Sequence, residues 1–175
     1  MRHEVRFSGY GGQGIILSAV ILGRAAALYD NKYAVQTQVY GPEARGGASM
    51  GQVVIDNAPI RYPEVVDPDI YVIMSQQGFE KYGSRAGKDA VMLLDTDLVR
   101  SRPISRYYEI PATTEAKETL GKEIVANIVM IGAVAGLGVL PIDRELFETV
   151  IREGMAAERV EANLRAFAIG QAAVA

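Results

Sequence analysis

The sequence predicts an α/β fold, with three α/β/α layers around a mixed, mostly parallel sheet and a helical C-terminal part. Short apolar runs typical of strands alternate with longer stretches typical of helices. Two predicted strands, 69–74 and 90–94, are apolar on both faces, and such strands need helices on both sides of the sheet. Beyond Pro111 every predicted element is a helix.

The elements follow from residue patterns taken in chain order. Strands are predicted over 4–8, 33–40, 48–55, 69–74, 90–94 and 106–110. Helices are predicted over 13–29, 76–82, 113–119, 124–138, 144–153 and 155–173. No crossover helix separates the second strand from the third, so at least one of them is expected to pair antiparallel. With no visible linker and no internal repeat, residues 1–175 are predicted to form a single domain.

Three polar residues are predicted to fix helices. Asp143 precedes a helix, where its side chain is expected to accept hydrogen bonds from first-turn amides. Ser75 is interpreted either as a cap of the same kind or, with Gln76 and Gln77, as a polar contact at the sheet edge. Asn127 lies in the apolar run 124–140 and, if buried, needs hydrogen-bond partners that would pin its helix to a loop. That run is slightly short for a membrane span and contains three glycines, so it is interpreted as a core helix.

Composition excludes several classes of function. The formal charge of −3 lacks the basic excess of a nucleic-acid-binding domain. The absence of cysteine excludes disulfides, thiolate nucleophiles and cysteine-bound iron–sulfur clusters. His3 is the single histidine and cannot form a metal site by itself. Because the N-terminus enters a strand without an apolar signal region, a cytoplasmic location is expected.

The Gly-rich turn, FSGYGGQGI at residues 7–15, lies between a predicted strand and a predicted helix. Gly9, Gly11 and Gly14 match the G-x-G-x-x-G fingerprint of dinucleotide sites. That fingerprint also needs an acidic residue at the end of the second strand, roughly twenty residues on. No carboxylate ends the second strand, and Asp30 precedes it. Both a nucleotide-binding turn and a tight strand-to-helix turn therefore remain open.

A second loop, TQVYGPEARGGASMG at residues 37–51, holds four more glycines. An ordinary hairpin turn needs only two to five residues, so this loop is expected to have another use. Arg45-Gly46-Gly47 places a guanidinium beside backbone donors, which suits a phosphate or a carboxylate. The alternative is an interface loop in which Glu43 and Arg45 satisfy each other or a partner.

Five segments in this order resemble the gamma subunit, or gamma domain, of the 2-oxoacid:ferredoxin oxidoreductases. They are FSGYGGQGI, QTQVYGPEARGGAS, PDIYVIMSQQGFEKY, ANIVMIGAVAGL and NLRAFAIGQ. Within that family, TQVYGPEARGGAS followed by GQVVIDNAPIRYPEV is most similar to the 2-oxoglutarate branch, although the branched-chain and pyruvate branches share the loop pattern.

The resemblance implies a multi-subunit enzyme that uses thiamine diphosphate, coenzyme A and ferredoxin. Alpha and beta subunits are expected to hold thiamine diphosphate and magnesium, and a ferredoxin-like subunit to carry iron–sulfur clusters. This chain lacks cysteine and the Gly-Asp-Gly start of the usual thiamine-diphosphate motif, so it is expected to hold no cofactor alone and to have no catalytic residue. An isolated chain is expected to expose interface area and to self-associate.

Both Gly-rich segments are expected at the carboxyl ends of strands, where ligands bind in open α/β sheets. The backbone turn at the first helix would favour an anionic group, with the second loop close by if the second strand runs beside the first. The predicted binding residues are Gly9, Gly11, Gly12, Gln13, Gly14, Tyr40, Gly41, Glu43, Arg45, Gly46 and Gly47. Two other readings remain: a free-standing Rossmann-like dinucleotide-binding oxidoreductase and a scaffold protein.

Overall fold

The structure is a computed structural model that describes residues 1–28, 32–40, 47–83, 89–103 and 106–175, except for the side chain of Tyr40. Its strands are β1 (His3–Tyr10), β2 (Tyr33–Tyr40), β3 (Ala48–Asp56), β4 (Ile70–Ile73), β5 (Val91–Asp95) and β6 (Tyr107–Ile110). Its helices are α1 (Ile15–Ala27), α2 (Gln76–Tyr82), α3 (Ala112–Leu120), α4 (Ala126–Gly136), α5 (Arg144–Gly154) and α6 (Ala157–Ala172). A 3₁₀ turn, Glu123–Val125, leads into α4.

The six strands form one sheet in the order β2-β3-β1-β4-β5-β6. β1, β4, β5 and β6 are parallel neighbours, whereas β3 is antiparallel to both β1 and β2. The predicted mixed sheet and its antiparallel pairing are therefore confirmed. The second strand does not lie beside the first, because β3, which is antiparallel to both, lies between them.

The Gly-rich turn begins later than the sequence pattern suggested. Pairing between β1 and β3 continues through Gly9 and Tyr10, so the first glycine of the turn belongs to the strand. Gly14 has a left-handed backbone, with φ of 77°, and forms the N-cap of α1, so the helix starts at Ile15 and not at residue 13. The turn itself is thus reduced to residues 11–14.

One face of the sheet carries the larger core. Val5 and Phe7 of β1 point into it, and α1 packs against β2 and β3 on this side. α4 is buried along most of its length and packs closely against α6. Phe147 of α5 contacts Phe167 of α6 with ring centroids 5.7 Å apart. The helices after β6 therefore form a layer, as the sequence predicted.

The contact between α4 and α6 depends on two glycines. A Cβ on Gly170 would lie 1.8 Å from the carbonyl oxygen of Val129, and a Cβ on Gly132 would lie 2.0 Å from that of Phe167. These distances are far below any van der Waals contact, so the two backbones touch directly. No side chain fits between the helices at these points.

The other face of the sheet is covered in part by the short helix α2. Its N-cap Ser75 accepts a hydrogen bond of 2.9 Å from the amide of Gly78, which confirms the predicted cap. A smaller buried cluster, including Tyr71 and Tyr82, lies on this face. Arg6 is buried there, with its guanidinium 5.6 Å from the Tyr71 ring and donating to the carbonyl of Val65 at 2.6 Å.

β2 is an edge strand, and none of its eight residues is charged. Tyr33 and Val39 are 48% and 45% exposed. Their partners in β3 show that both point to the face that α2 covers only in part.

Two sequence interpretations were wrong in detail. Asp143 is the N-cap of α5, but its side chain accepts no hydrogen bond there; its carbonyl accepts from Leu146, and its exposed position leaves the side chain to solvent. Ile124 was placed in a core helix, yet it lies in the 3₁₀ turn and is 75% exposed. Within the described residues, no helix is long and apolar enough to cross a membrane.

Candidate functional site

A cleft of about 240 Å³ lies beside the Gly-rich turn, at the carboxyl ends of β1 and β4. This is the edge of an open α/β sheet at which ligands bind. The cleft is lined by Tyr10, Gly12, Gln13, Met74, Leu98, Thr113, Glu123, Ile124 and Ala126.

The two Gly-rich segments meet at this edge. The amide of Gly11 donates a hydrogen bond of 3.1 Å to the carbonyl of Gly47, directly beyond the last β1–β3 pair, Tyr10 with Ala48. β3 brings the two segments together, because it begins directly after Gly47 and its first residue, Ala48, pairs with Tyr10 at the end of β1. Gly11 and Gly47 are therefore adjacent for a different reason from the one the sequence suggested.

Gln13 ties two strand ends together. Its side-chain oxygen accepts from the amide of Tyr10 at 2.9 Å, and its side-chain nitrogen donates to the carbonyl of Met74 at 2.6 Å. A Cβ on Gly9 would lie 2.4 Å from that oxygen and 2.6 Å from Ile15 Cδ1, so any side chain there would displace Gln13 or Ile15. Gln13 thus joins the end of β1 to the end of β4, while part of it faces the cleft.

Gly14 connects the turn to the helical layer. Its carbonyl accepts a hydrogen bond from Asn127 Nδ2 at 3.3 Å and another from the amide of Ser18 at 2.9 Å. A Cβ on Gly14 would lie 2.5 Å from Asn127 Nδ2. Asn127 is buried, so the prediction that it pins its helix to a loop is confirmed.

Few backbone donors of the turn remain for a ligand. The amide of Gly11 is bound to Gly47, and that of Gln13 donates to the carbonyl of Tyr10 at 3.3 Å. Among the described residues, the amides of Gly12 and Gly14 have no partner. Gly12 has φ of 102°, and a Cβ built on it would meet nothing within 4 Å, so this residue faces open space.

The cleft carries little charge of its own. Among the described residues of its lining, Glu123 is the one acidic side chain, and none is a lysine or an arginine. A ligand anion would therefore rely on the amides of the turn and on the N-terminus of α1. Any cation would come from beyond this lining, and Arg45 of the second loop lies outside the described residues.

A buried carboxyl group lies beneath the cleft wall. Asp95, the last residue of β5, accepts a hydrogen bond of 2.6 Å from the hydroxyl of Thr113, which lines the cleft. Burial raises the pKa of Asp95 to about 6, against the lowering effect of the hydrogen bonds from Thr113 and the Asp97 amide. Asp97 in turn accepts from the amide and the hydroxyl of Thr114 at 2.6 and 2.9 Å.

Sequence reasoning missed this pair of carboxylates. It predicted the strand 90–94 but gave Asp95, the residue that follows it, no role. The signal was present as Asp95-Thr96-Asp97 after a buried strand and Thr113-Thr114 at the start of a helix. Since the N-cap of α3 is Pro111, which makes no side-chain cap, these two carboxylates supply acceptors to its first turn.

The structure brings together about half of the predicted binding residues. Gly11, Gly12, Gln13, Gly14 and Gly47 lie at one sheet edge, with Gly9 packed behind them. Gly41, Glu43, Arg45 and Gly46 lie outside the described residues, as does the side chain of Tyr40. That any of these residues contacts a ligand stays a prediction.

Replacing Gln13 with alanine is expected to lower the free energy of unfolding by about 1–2 kcal/mol, because the amide of Tyr10 and the carbonyl of Met74 lose their partner. Urea denaturation of the full chain measures this. Gln77→Ala, at an exposed position of α2, is the matched control and is expected to change little. Equal stabilities of the two variants would contradict a bridging role for Gln13.

The described residues do not fit the metal of thiamine diphosphate or an iron–sulfur cluster. The chain has no cysteine, and no group of three His, Asp or Glu side chains that suits a metal occurs in the described part. They do not match a dinucleotide fold either. In that fold the second parallel strand lies beside the first and positions the ribose-binding carboxylate, whereas here antiparallel β3 takes that place.

Comparison with known proteins decides the family. The profile of the pyruvate ferredoxin/flavodoxin oxidoreductase family matches residues 4–173. The 2-oxoglutarate synthase subunit KorC of Methanocaldococcus jannaschii is 51% identical over 97% of this chain and 92% of its own length. The chain belongs to the pyruvate ferredoxin/flavodoxin oxidoreductase family.

Two further members define its place within the family. The gamma subunit of a keto/oxoacid ferredoxin oxidoreductase from Geobacter sulfurreducens has the same fold, with a TM-score of 0.88 at 39% identity over 99% of this chain and 97% of that one. The pyruvate synthase subunit PorC of Methanothermobacter marburgensis is 38% identical, but over 80% of each chain. The resemblance to the gamma subunit that the sequence suggested is confirmed, as is the α/β fold.

Proposed function

We propose that this chain is the gamma subunit of a 2-oxoglutarate:ferredoxin oxidoreductase, acting as one domain of 175 residues. The complex decarboxylates its 2-oxoacid oxidatively, forms an acyl-coenzyme A and reduces ferredoxin. This subunit contributes the two Gly-rich segments as a surface toward its partners and their ligands, and it carries no redox centre. Alpha and beta subunits hold thiamine diphosphate with magnesium, and a ferredoxin-like subunit holds the iron–sulfur clusters.

The observation that supports the proposed surface is the hydrogen bond between Gly11 and Gly47, which holds Gly47 of the second Gly-rich segment against the first segment, next to the cleft. Glycines at this density serve close approach by another backbone or by a ligand. Gly9 and Gly14 are packed against neighbouring side chains, whereas Gly12, whose φ of 102° favours glycine, faces open space. The backbone at Gly12 is therefore open to close approach by a partner or a ligand.

The preference for 2-oxoglutarate over pyruvate rests on likeness along the whole chain. Identity to the KorC subunit is 51% over 97% of this chain, against 38% over 80% for the PorC subunit.

Purification through a tag on this chain from its own cells is expected to recover larger subunits together with thiamine diphosphate and iron. The recovered complex should reduce ferredoxin with 2-oxoglutarate and coenzyme A at least about tenfold faster than with pyruvate. Activity should disappear when this chain is left out of a reconstitution and return on its addition. A lone chain that retains a nucleotide would overturn the proposal.

The Gly-rich surface is tested in the same reconstitution. Arg45→Ala is expected to lower the rate or weaken assembly, because a guanidinium beside backbone donors suits an anionic ligand or a partner carboxylate. Arg165→Ala, at an exposed position on α6, is the control. Unchanged kinetics and unchanged assembly for Arg45→Ala would remove the second loop from the site while leaving the subunit assignment intact.

A further inference from the structure

A second pocket, of about 200 Å³, lies between the 3₁₀ turn and the first turns of α6. It is lined by Lys122, Ile124, Val125, Arg159, Ala162 and Asn163. Ile124 also lines the cleft beside the Gly-rich turn, so its exposed side chain forms a wall shared by the two depressions. The two differ in charge, because the cleft has an acidic side chain in its lining and the pocket has two basic ones.

The basic side chains come from different elements. Lys122 precedes the 3₁₀ turn, and Arg159 lies in the first turn of α6. Within the described part of the chain, neither has a carboxylate within 4 Å, although Glu123, Glu158 and Glu161 are close in sequence. Two cations that converge on one concave surface without a paired carboxylate favour an anionic occupant.

The base of the pocket adds a buried polar group. Asn163 is 4% exposed, and its side-chain nitrogen donates to the carbonyl of Arg159 at 2.7 Å. Its side-chain oxygen has no hydrogen-bond donor among the described residues, and it is not sealed from the pocket. A buried amide oxygen in this state suits a hydroxyl or N–H group of a ligand.

The remaining lining is apolar. Val125 is buried, Ala162 is half-buried and Ile124 is exposed at the rim. α6 has sixteen residues, and its N-cap, Ala156, provides no side-chain cap, so its dipole adds positive potential near Arg159. The pocket therefore combines a cationic mouth, one buried acceptor and an apolar wall.

We propose that this pocket binds an organic phosphate. The phosphate lies between Lys122 and Arg159, a hydroxyl of the ligand donates to Asn163, and the carbon skeleton rests against Ile124 and Val125. A phosphate monoester carries close to two negative charges at neutral pH and so matches two cations, whereas a carboxylate matches one. The site belongs to this chain alone and does not depend on the proposed subunit role.

Titration of the full isotope-labelled chain with inorganic phosphate tests the site. Saturable shifts in the millimolar range are expected for the Arg159 side-chain N–H and the Asn163 side-chain amide, with acetate at equal ionic strength binding at least about tenfold more weakly. Lys122→Ala and Arg159→Ala should each weaken phosphate binding about tenfold. Arg165→Ala, on an exposed face of the same helix, should retain it.

The proposal is overturned if phosphate and acetate give equal shifts, or if Arg159→Ala and Arg165→Ala bind phosphate alike. Lys122 and Arg159 are exposed, so both variants are expected to fold, and thermal denaturation verifies this. A third result would also overturn the proposal. If Lys122→Ala and Arg159→Ala both bind phosphate as the parent does but fail to assemble with the other subunits, the pocket receives a carboxylate of a partner and not a small phosphate.

Discussion

Gly170→Ala is expected to lower the free energy of unfolding by about 3 kcal/mol or more, enough to leave much of the chain insoluble. The added methyl group would lie 1.8 Å from the carbonyl oxygen of Val129 and 2.8 Å from the amide nitrogen of Ala133. Both atoms belong to the backbone of α4, so no side-chain rotation relieves the overlap. α6 would have to move away from α4, which opens the larger core. Urea denaturation monitored by circular dichroism measures the loss.

Gly23→Ala provides the matched control. Gly23 lies within α1, and the nearest atom to its added Cβ is the Cβ of Gln36, at an ordinary 3.6 Å. Alanine stabilises a helix interior by roughly 0.5–1 kcal/mol relative to glycine, so this variant should be as stable as the parent or more stable. If Gly170→Ala and Gly23→Ala denatured at the same urea concentration, the close backbone contact between α4 and α6 would be refuted.

Asp95→Asn is expected to change how stability depends on pH. Burial holds the pKa of Asp95 at about 6 in the folded chain, above the 3.8 of a free aspartate. A raised pKa means that the folded state favours the neutral carboxyl. Its stabilising contribution is therefore complete below about pH 4 and is lost as the pH rises through 6. The difference of about two pKa units corresponds to about 3 kcal/mol.

The free energy of unfolding of the parent relative to Asp95→Asn should therefore fall by up to about 3 kcal/mol between pH 4 and pH 7. Denaturant titrations of both chains across this range measure the difference, and the other carboxyl groups cancel in it. Thr113→Val removes the hydroxyl that lowers the Asp95 pKa, so it should move the fall to higher pH. A difference that does not vary with pH would show that folding does not raise the pKa of Asp95.

Local patterns predicted most of the fold. β2 and α2 have the predicted bounds, and the start of α2 is fixed by a local contact, the cap formed by the side chain of Ser75. The sequence could not predict that β3 lies between β1 and β2. The same strand pattern would also fit a sheet in which β2 lies directly beside β1. The end of β1 was likewise set by pairing with distant Ala48, which no local pattern records.

The candidate site was predicted only in part, because it too depends on contacts between residues that are distant in the sequence. Glycine spacing located the turn and the second loop, but it did not separate glycines needed for packing from those that face outward. Gly14 is required by Asn127, which lies 113 positions along the chain. The Asp95 and Asp97 pair depends on α3 starting beside the end of β5, and the phosphate pocket depends on α6 crossing the 3₁₀ turn. Such contacts arise only once the layers have packed.

The uncharged edge strand β2 has a consequence for how the cell must make this protein. Natural sheet edges are commonly guarded by lysine, proline or a bulge, which prevents them from adding strands of other molecules. β2 has none of these residues and presents Tyr33 and Val39 beside its edge. A chain synthesised in excess of its partners therefore offers a template for aggregation. Balanced synthesis, with partners present as each copy is completed, limits how long that edge stays uncovered.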